Sequence, residues 1–177
     1  LTTLEILSQK KEGLTGVTSG FIDLDRMTSG WQKSDFIILA ARPAMGKTAF
    51  ALNMAQNAAM ATKEPVAIFS LEMSKEQLVN RMISSMAEID QQTLRNGRIY
   101  GEDWVRLVNA IAPLAEAPVF IDDTPAISVR EVRAKARRLK AEHGLAMIII
   151  DYLQLMGSTG RIESRQQEES QISRSLT

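Results

Sequence analysis

The chain of 177 residues contains no cysteine, which excludes disulfides, thiol catalysis and cysteine-ligated zinc and suits a reducing compartment, read here as cytoplasmic. It has no excess of charge of either sign. Twenty-one Lys and Arg balance twenty-one Asp and Glu, so composition supplies no global field for non-specific nucleic-acid binding, and any such contact must come from local clusters or from assembly. Aromatics make up only 5% of the residues, and Trp31, Trp104, Tyr100 and Tyr152 are scattered, so no base-stacking platform is visible. Long hydrophobic runs are missing too: Phe36 to Ala41 and Leu145 to Ile150 are strand-sized and far too short to cross a membrane, and no signal peptide opens the chain. With 45% hydrophobic and 24% charged residues, the composition is that of an ordinary globular domain with enough length for one core.

The most informative stretch is Phe36-Ile37-Ile38-Leu39-Ala40-Ala41-Arg42-Pro43-Ala44-Met45-Gly46-Lys47-Thr48. It predicts a buried strand running into a phosphate-binding loop, Ala41 to Thr48, and then into an Ala-rich helix. Such a loop turns backbone N–H groups and the positive end of a helix toward a strongly anionic ligand. Gly46 permits close backbone approach, Lys47 can reach β- and γ-phosphates, and Thr48 can offer its hydroxyl to Mg²⁺. The ligand class is therefore a nucleoside triphosphate with its metal. One position departs from the usual pattern, which begins with glycine where this chain has Ala41. Its methyl group is tolerated in an extended conformation. Pro43 then supplies rigidity in place of a flexible first residue.

Downstream the pattern alternates. Helix is predicted over Thr48 to Ala61, strand over Val66 to Ser70, and helix over Lys75 to Ala87 with Leu78, Val79, Met82 and Met86 inward. A helix follows over Glu102 to Ala115, then strands at Val119 to Ile121 and Ala146 to Ile150 flanking a helix at Val129 to His143. Near-continuous apolar strands alternating with helices imply an α/β fold with a mainly parallel sheet covered on both faces. Chemistry in such sheets gathers at the C-terminal strand ends, which places Lys47, Glu72, Asp122 and Asp151 on one rim. Ahead of the phosphate loop, Leu1, Leu4 and Leu7 recur at helical spacing, Thr15 to Gly20 is rich in turn residues, and Phe21 to Met27 reads as a brief helix. The first helix is too short to stand alone and needs a surface, either on its own domain or on a neighbour.

Asp151 ends the apolar strand Ile148-Ile149-Ile150, where a carboxylate can hold the coordination shell of Mg²⁺ or simply begin a turn; coupled to a phosphate loop upstream, the metal reading is favoured. Glu72, just past the strand that follows the loop helix, is placed to orient or deprotonate a water near a γ-phosphate. Spacing alone supports equally an acid at the N-terminal end of the helix capped by Ser74. Asp122-Asp123-Thr124-Pro125 reads as a turn rather than a second metal site. His143, the one histidine, stands at a helix C-terminus before Gly144 and receives no catalytic role. The cluster Arg130, Arg133, Lys135, Arg137, Arg138 and Lys140 reads first as the solvated face of a helix whose apolar side is Val129, Val132, Ala136 and Leu139.

Taken together, Gly16-Val17-Thr18-Ser19-Gly20-Phe21, Leu24-Asp25-Arg26-Met27-Thr28, the loop from Ala41 to Phe50, Phe69-Ser70-Leu71-Glu72-Met73-Ser74 and Ile150-Asp151-Tyr152-Leu153-Gln154-Leu155 resemble, in order and spacing, the RecA-like C-terminal motor domain of bacterial replicative DNA helicases of the DnaB family. The Ala-Arg-Pro opening of the loop is similar to that family, which accounts for the missing glycine. The resemblance implies a RecA-like fold and a hexameric ring that hydrolyses ATP with Mg²⁺ between subunits and moves along single-stranded DNA, with a primase and a helicase loader as partners. It makes Lys47 and Glu72 catalytic and lets Ala41, Arg42, Pro43, Ala44, Met45, Gly46, Lys47 and Thr48 bind nucleotide, with Thr48 and Asp151 on the metal. Residues 1–13 become a linker helix and connector, with Leu1 to Ser8 docking on the next subunit, and 14–177 a partial motor domain. In that family the arginine finger, the sensor glutamine and the DNA-binding loops lie beyond the position of Thr177, and Arg161 to Thr177 resembles the start of the next helix. The chain, opening on Leu1 rather than Met, is accordingly read as part of something longer. Another RecA-like ATPase of recombinase or clock type would share Lys47, Glu72 and Asp151, and a non-motor module would bind ATP only to stabilise an assembly. A small-molecule kinase is disfavoured because no arginine-rich lid is recognisable.

Overall fold

The computed structural model describes residues 14–152. In chain order the elements are α1 (Ile22–Thr28), α2 (Lys47–Thr62), β1 (Val66–Ser70), α3 (Lys75–Ala87), α4 (Gln91–Arg95), α5 (Glu102–Glu116), β2 (Val119–Asp122), α6 (Val129–His143) and β3 (Met147–Asp151). The strands form a parallel sheet in the order β2-β1-β3. Its register pairs Val66 with Val119 and Met147, and Ser70 with Asp151.

Central strand β1 is buried along its whole length because both of its edges are laddered and both of its faces are covered. Successive side chains of a strand point to opposite faces, so Val66 and Ile68 enter one cluster and Ala67 and Phe69 another. The first cluster joins them to Leu52, Ala55, Ala58 and Ala59 of α2 and to Leu78 and Met82 of α3. Alanines on the inner side of α2 let that helix lie close on the sheet. On the opposite face Ile127 and Val132 of the α6 region seal Ala67 and Phe69. Burying Ile68, which is 2% exposed, contributes about 1.5–3 kcal/mol. A satellite cluster of Ala87, Ile89, Leu107 and Ala110 holds α5 against the end of α3.

Helices α3 and α6 start where their sequences say they should. Ser74 and Gln77 form one reciprocal capping box, and Ser128 and Glu131 form the other. Both helices match their expected spans to the residue. The expected apolar face of α6 is correct: Val132 and Ala136 are buried, Val129 and Leu139 pack on the same cluster, and the six basic residues are exposed.

Two expectations are corrected, and one element is added. The run Phe36 to Ala41 carries no strand ladder, and Phe36 to Leu39 are 39–68% exposed. An apolar run becomes a strand only where a neighbour takes up its hydrogen bonds, and none of the described residues pairs with it. Val79 is exposed rather than inward, because the inner stripe of α3 passes through Leu78 and Met82 and leaves the adjacent position outside. The short helix α4, capped by the Asp90 carboxylate on the N–H groups of Gln92 and Thr93, adds an element within an otherwise polar connector. The expected helix at Leu1 to Ser8, the segment Leu153 to Leu155 and the helix start at Arg161 lie outside the described residues.

The contrast within α3 can be measured. Met82→Ala should destabilise the domain by about 2–5 kcal/mol in urea unfolding, and Val79→Ala by about 0.5 kcal/mol or less. Equal losses would contradict the packing of this helix.

Candidate nucleotide-binding site

Upstream of α2 the loop Ala41 to Gly46 is exposed throughout. The amide of Met45 donates to the carbonyl of Arg42 at 3.3 Å, closing a turn around Pro43 and Ala44. Gly46 lies in the left-handed region at φ 86°, and a Cβ placed there would meet nothing within 4 Å. Glycine is therefore required by conformation, while the space in front of it stays open to a ligand.

Helix α2 begins with that glycine as its N-cap, without a capping side chain and without an acid in its first turn. Its leading N–H groups keep their donor capacity and add to the positive end of the helix dipole. An uncapped helix end of this kind can receive an anion, whereas α3 and α6 carry capping boxes and α5, also without a capping side chain, has Glu102 and Asp103 in its first turn.

Three functional groups meet beside it. Thr48 donates its hydroxyl to Asp151 Oδ2 at 2.6 Å, and Lys47 Nζ lies 3.1 Å from Asp151 Oδ1. Asp151 is 7% exposed, so the ion pair and the hydroxyl together compensate a carboxylate that burial would otherwise penalise heavily. The ring of Tyr152 takes the other side of the ammonium, with its centroid 4.2 Å from Lys47 Nζ. This aromatic partner is not evident from the sequence, where its only signal is its place directly after Asp151.

Strand register puts Glu72 on the same rim. Ser70 pairs with Asp151, and the amide of Leu71 extends the ladder by donating to the Asp151 carbonyl at 2.8 Å. A turn follows in which Ser70 Oγ donates to the Met73 carbonyl at 2.7 Å, leaving Glu72 exposed at the strand end. Asp122 also reaches the rim, opposite Phe69, but it is engaged elsewhere. Burial would raise its pKa, yet hydrogen bonds from Lys135 and Thr124 and the Lys135 charge outweigh that and hold the carboxyl below its ordinary value. Asp123 accepts the Lys75 amide at 3.0 Å at the start of α3. The two neighbouring carboxylates thus tie α6 and α3 to the sheet edge. His143 stacks on Phe120, with ring centroids 5.7 Å apart.

Among the described residues no group of three or more His, Cys, Asp or Glu could cage a metal ion. Mg²⁺ needs no such cage, because it keeps several waters and takes its remaining ligands from one or two protein oxygens and from phosphates. Thr48 Oγ1 and the Asp151 carboxylate are the two protein oxygen groups that meet at this rim, 2.6 Å apart. No described helix is long and apolar enough to cross a membrane.

These features place the structure among the phosphate-loop α/β domains of RecA-like type. Within that class the chain belongs to the DnaB-like helicase C-terminal domain family, whose model matches residues 16–177. It is 58% identical over 174 residues to the replicative DNA helicase DnaB of Geobacillus stearothermophilus, a match that covers 98% of this chain and 38% of that protein. The replicative DNA helicase DnaC of Bacillus subtilis is 56% identical over the same shares of the two chains. Among solved structures, a DnaB-like replicative helicase described with its interactions with primase is 38% identical, with a TM-score of 0.90 over 98% of this chain and 43% of that one.

The separate duties of the two rim carboxylates are testable. Asp122 contributes stability above the ordinary carboxylate pKa of about 3.9, and this contribution is lost as pH falls through and below that value. Asp122→Asn should lower the melting temperature at pH 7, flatten its decline below about pH 4 and leave nucleotide affinity within about twofold. A loss of affinity without a stability change would move Asp122 into the nucleotide site.

Proposed function

We propose that this chain is the ATPase part of a replicative DNA helicase that works in the cytoplasm. In this reading subunits form a hexameric ring, hydrolyse ATP at their interfaces, move along single-stranded DNA and unwind the duplex at the replication fork. The convergence of Lys47 and Thr48 on Asp151 at one sheet rim, beside an uncapped helix end, carries the proposal. Family membership supplies the direction of the chemistry. Since the chain spans 38% of the helicase from Geobacillus stearothermophilus, the ring, the DNA track and contacts with primase and a loader belong to the proposal. Residues 1–13 are assigned to a linker helix and connector docking on a neighbouring subunit, and 14–177 to part of the motor domain.

The residues divide the work by their chemistry. Backbone N–H groups of the loop from Ala41 to Thr48, Pro43 excepted, bind phosphate oxygens without needing side chains, which suits a loop of small residues such as Ala41, Ala44 and Gly46. Lys47 leaves Asp151 to neutralise β- and γ-phosphate charge, an exchange of one anion for another that keeps its ammonium paired. Thr48 and Asp151 would hold Mg²⁺, which when bound would supply charge neutralisation for the phosphates. Glu72 orients the attacking water and accepts its proton. Exposure at the strand end leaves that carboxylate free for water, whereas Asp151 is already engaged.

ATP binding and turnover on the full-length protein test this division. Lys47→Ala should abolish productive nucleotide binding, while Glu72→Gln should bind ATP within about twofold of wild type and hydrolyse it about 10²–10⁴-fold more slowly. Equal loss of binding in both would refute the roles. Single-stranded DNA should stimulate the wild-type ATPase, and a forked duplex should be separated; vigorous ATPase activity indifferent to DNA, without strand separation, would make the protein a non-motor module.

A further inference from the structure

The first turn of α2 has a difficulty that the other long capped helices lack. It must leave its N–H groups free for phosphate, so no side chain caps it, yet an uncapped first turn frays. The support comes from residues 15–31. This segment closes on itself through an antiparallel bridge between Val17 and Trp31, with both N–H to carbonyl bonds at 2.8 Å. Inside it Asp25 gathers the turn: its carboxylate accepts from the Thr18 hydroxyl, from the Ser19 amide at 2.8 Å and from the Ser19 hydroxyl at 2.6 Å. Burial would raise the Asp25 pKa, but the hydrogen bonds from Ser19, Thr18 and the Gly20 backbone prevail and lower it.

The gathered turn is seated on α2 at two points. Asn57 Nδ2 donates to the Ser19 carbonyl at 3.3 Å, and Ser19 is fully buried. Gly20, at φ 79°, lies so close that an added Cβ would come within 2.0 Å of the Asn57 amide nitrogen. Two turns earlier along α2, Phe21 stacks on Phe50 with ring centroids 4.7 Å apart and planes 23° from parallel. Phe50 is the residue whose amide donates to the Gly46 carbonyl at 2.9 Å, making the hydrogen bond that closes the first turn on the loop glycine.

We propose that residues 15–31 form a positioning strap for the nucleotide site, with Phe21 holding Phe50 and thereby the Gly46-to-Phe50 turn. The strap steadies through Phe50 a first turn that no capping side chain closes. This leaves the donors of Lys47, Thr48 and Ala49 open to phosphate. Phe21 touches no reacting group, so its contribution is to the binding of triphosphate and not to the chemical step. The inference rests on the reading that the loop binds Mg-ATP.

The test compares Phe21→Leu, which keeps an apolar side chain but removes the ring stack, with Phe21→Tyr, which keeps the stack. Both are measured in the full-length protein for KM and kcat of ATP hydrolysis and for hydrogen exchange at the Phe50 amide. Phe21→Leu should raise KM about three- to tenfold, the range to which an aromatic pair's coupling converts, with kcat within about twofold. Exchange at Phe50 should accelerate in step, and Phe21→Tyr should restore both. An unchanged KM in Phe21→Leu, or a fall in kcat with KM constant, would overturn the strap whether or not the melting temperature drops. Wild-type protein that fails to bind ATP would instead refute the nucleotide site itself, so the two failures are separable.

Discussion

Everything at the rim depends on one carboxylate. Asp151 sits at the end of β3, in register with Ser70 of the central strand, and takes the Thr48 hydroxyl on one oxygen and the Lys47 ammonium on the other. Through it the sheet, built from residues 66 onward, is tied to the start of the helix that precedes the sheet in sequence. A buried carboxylate is costly unless paired, so the pairing is both a condition for the fold and the arrangement that an incoming triphosphate would rearrange. In the reading proposed above, the same atoms pair with one another without nucleotide and hold the metal with it.

The surroundings of this pairing show a consistent separation of duties. Helices α3 and α6 are closed by serine capping boxes, α5 starts on Gly101 with Glu102 and Asp103 in its first turn instead of a capping side chain, and the carboxylates at the edge strand are engaged by Lys135 and the α3 N-terminus. The helix that follows the open loop has neither a capping side chain nor an acid in its first turn, and Phe21 stacks on Phe50 at the end of that turn. Polar groups outside the site are therefore largely satisfied by protein partners, whereas those in the loop await a ligand. In the reading proposed above that contrast has a purpose, since a motor must bind and release its nucleotide repeatedly.

Legibility varies with the range of the interactions involved. The spans of α3 and α6 are readable because serine caps, apolar stripes and terminal residues all act within a few positions of one another. The parallel sheet follows from alternating apolar strands and helices, and the common rim of Lys47, Glu72 and Asp151 follows from that topology. The run Phe36 to Ala41 reads as a laddered strand and is not one, because periodicity reports the capacity to pair and not the presence of a partner. Val79 reads as inward because adjacent apolar positions on a helix cannot be ranked until the neighbouring surface is known. Tyr152 and Phe21 are silent for a similar reason: an aromatic ring carries no mark in the sequence of the cation or ring it will meet.

By itself the sequence determined the chemistry available: a phosphate loop with its lysine and hydroxyl, strand-ending acids, an α/β order of elements and a family likeness spread along the chain. Those are properties of residue type and short spacing. Only the tertiary structure decided which acid meets the loop, that Asp122 is engaged by Lys135 while Asp151 receives Lys47 and Thr48, and that a segment more than twenty residues upstream of Phe50 braces the helix. The physical reason is that these choices are made by strand register and helix docking, which bring together groups as far as 103 residues apart. No local pattern encodes such a distance.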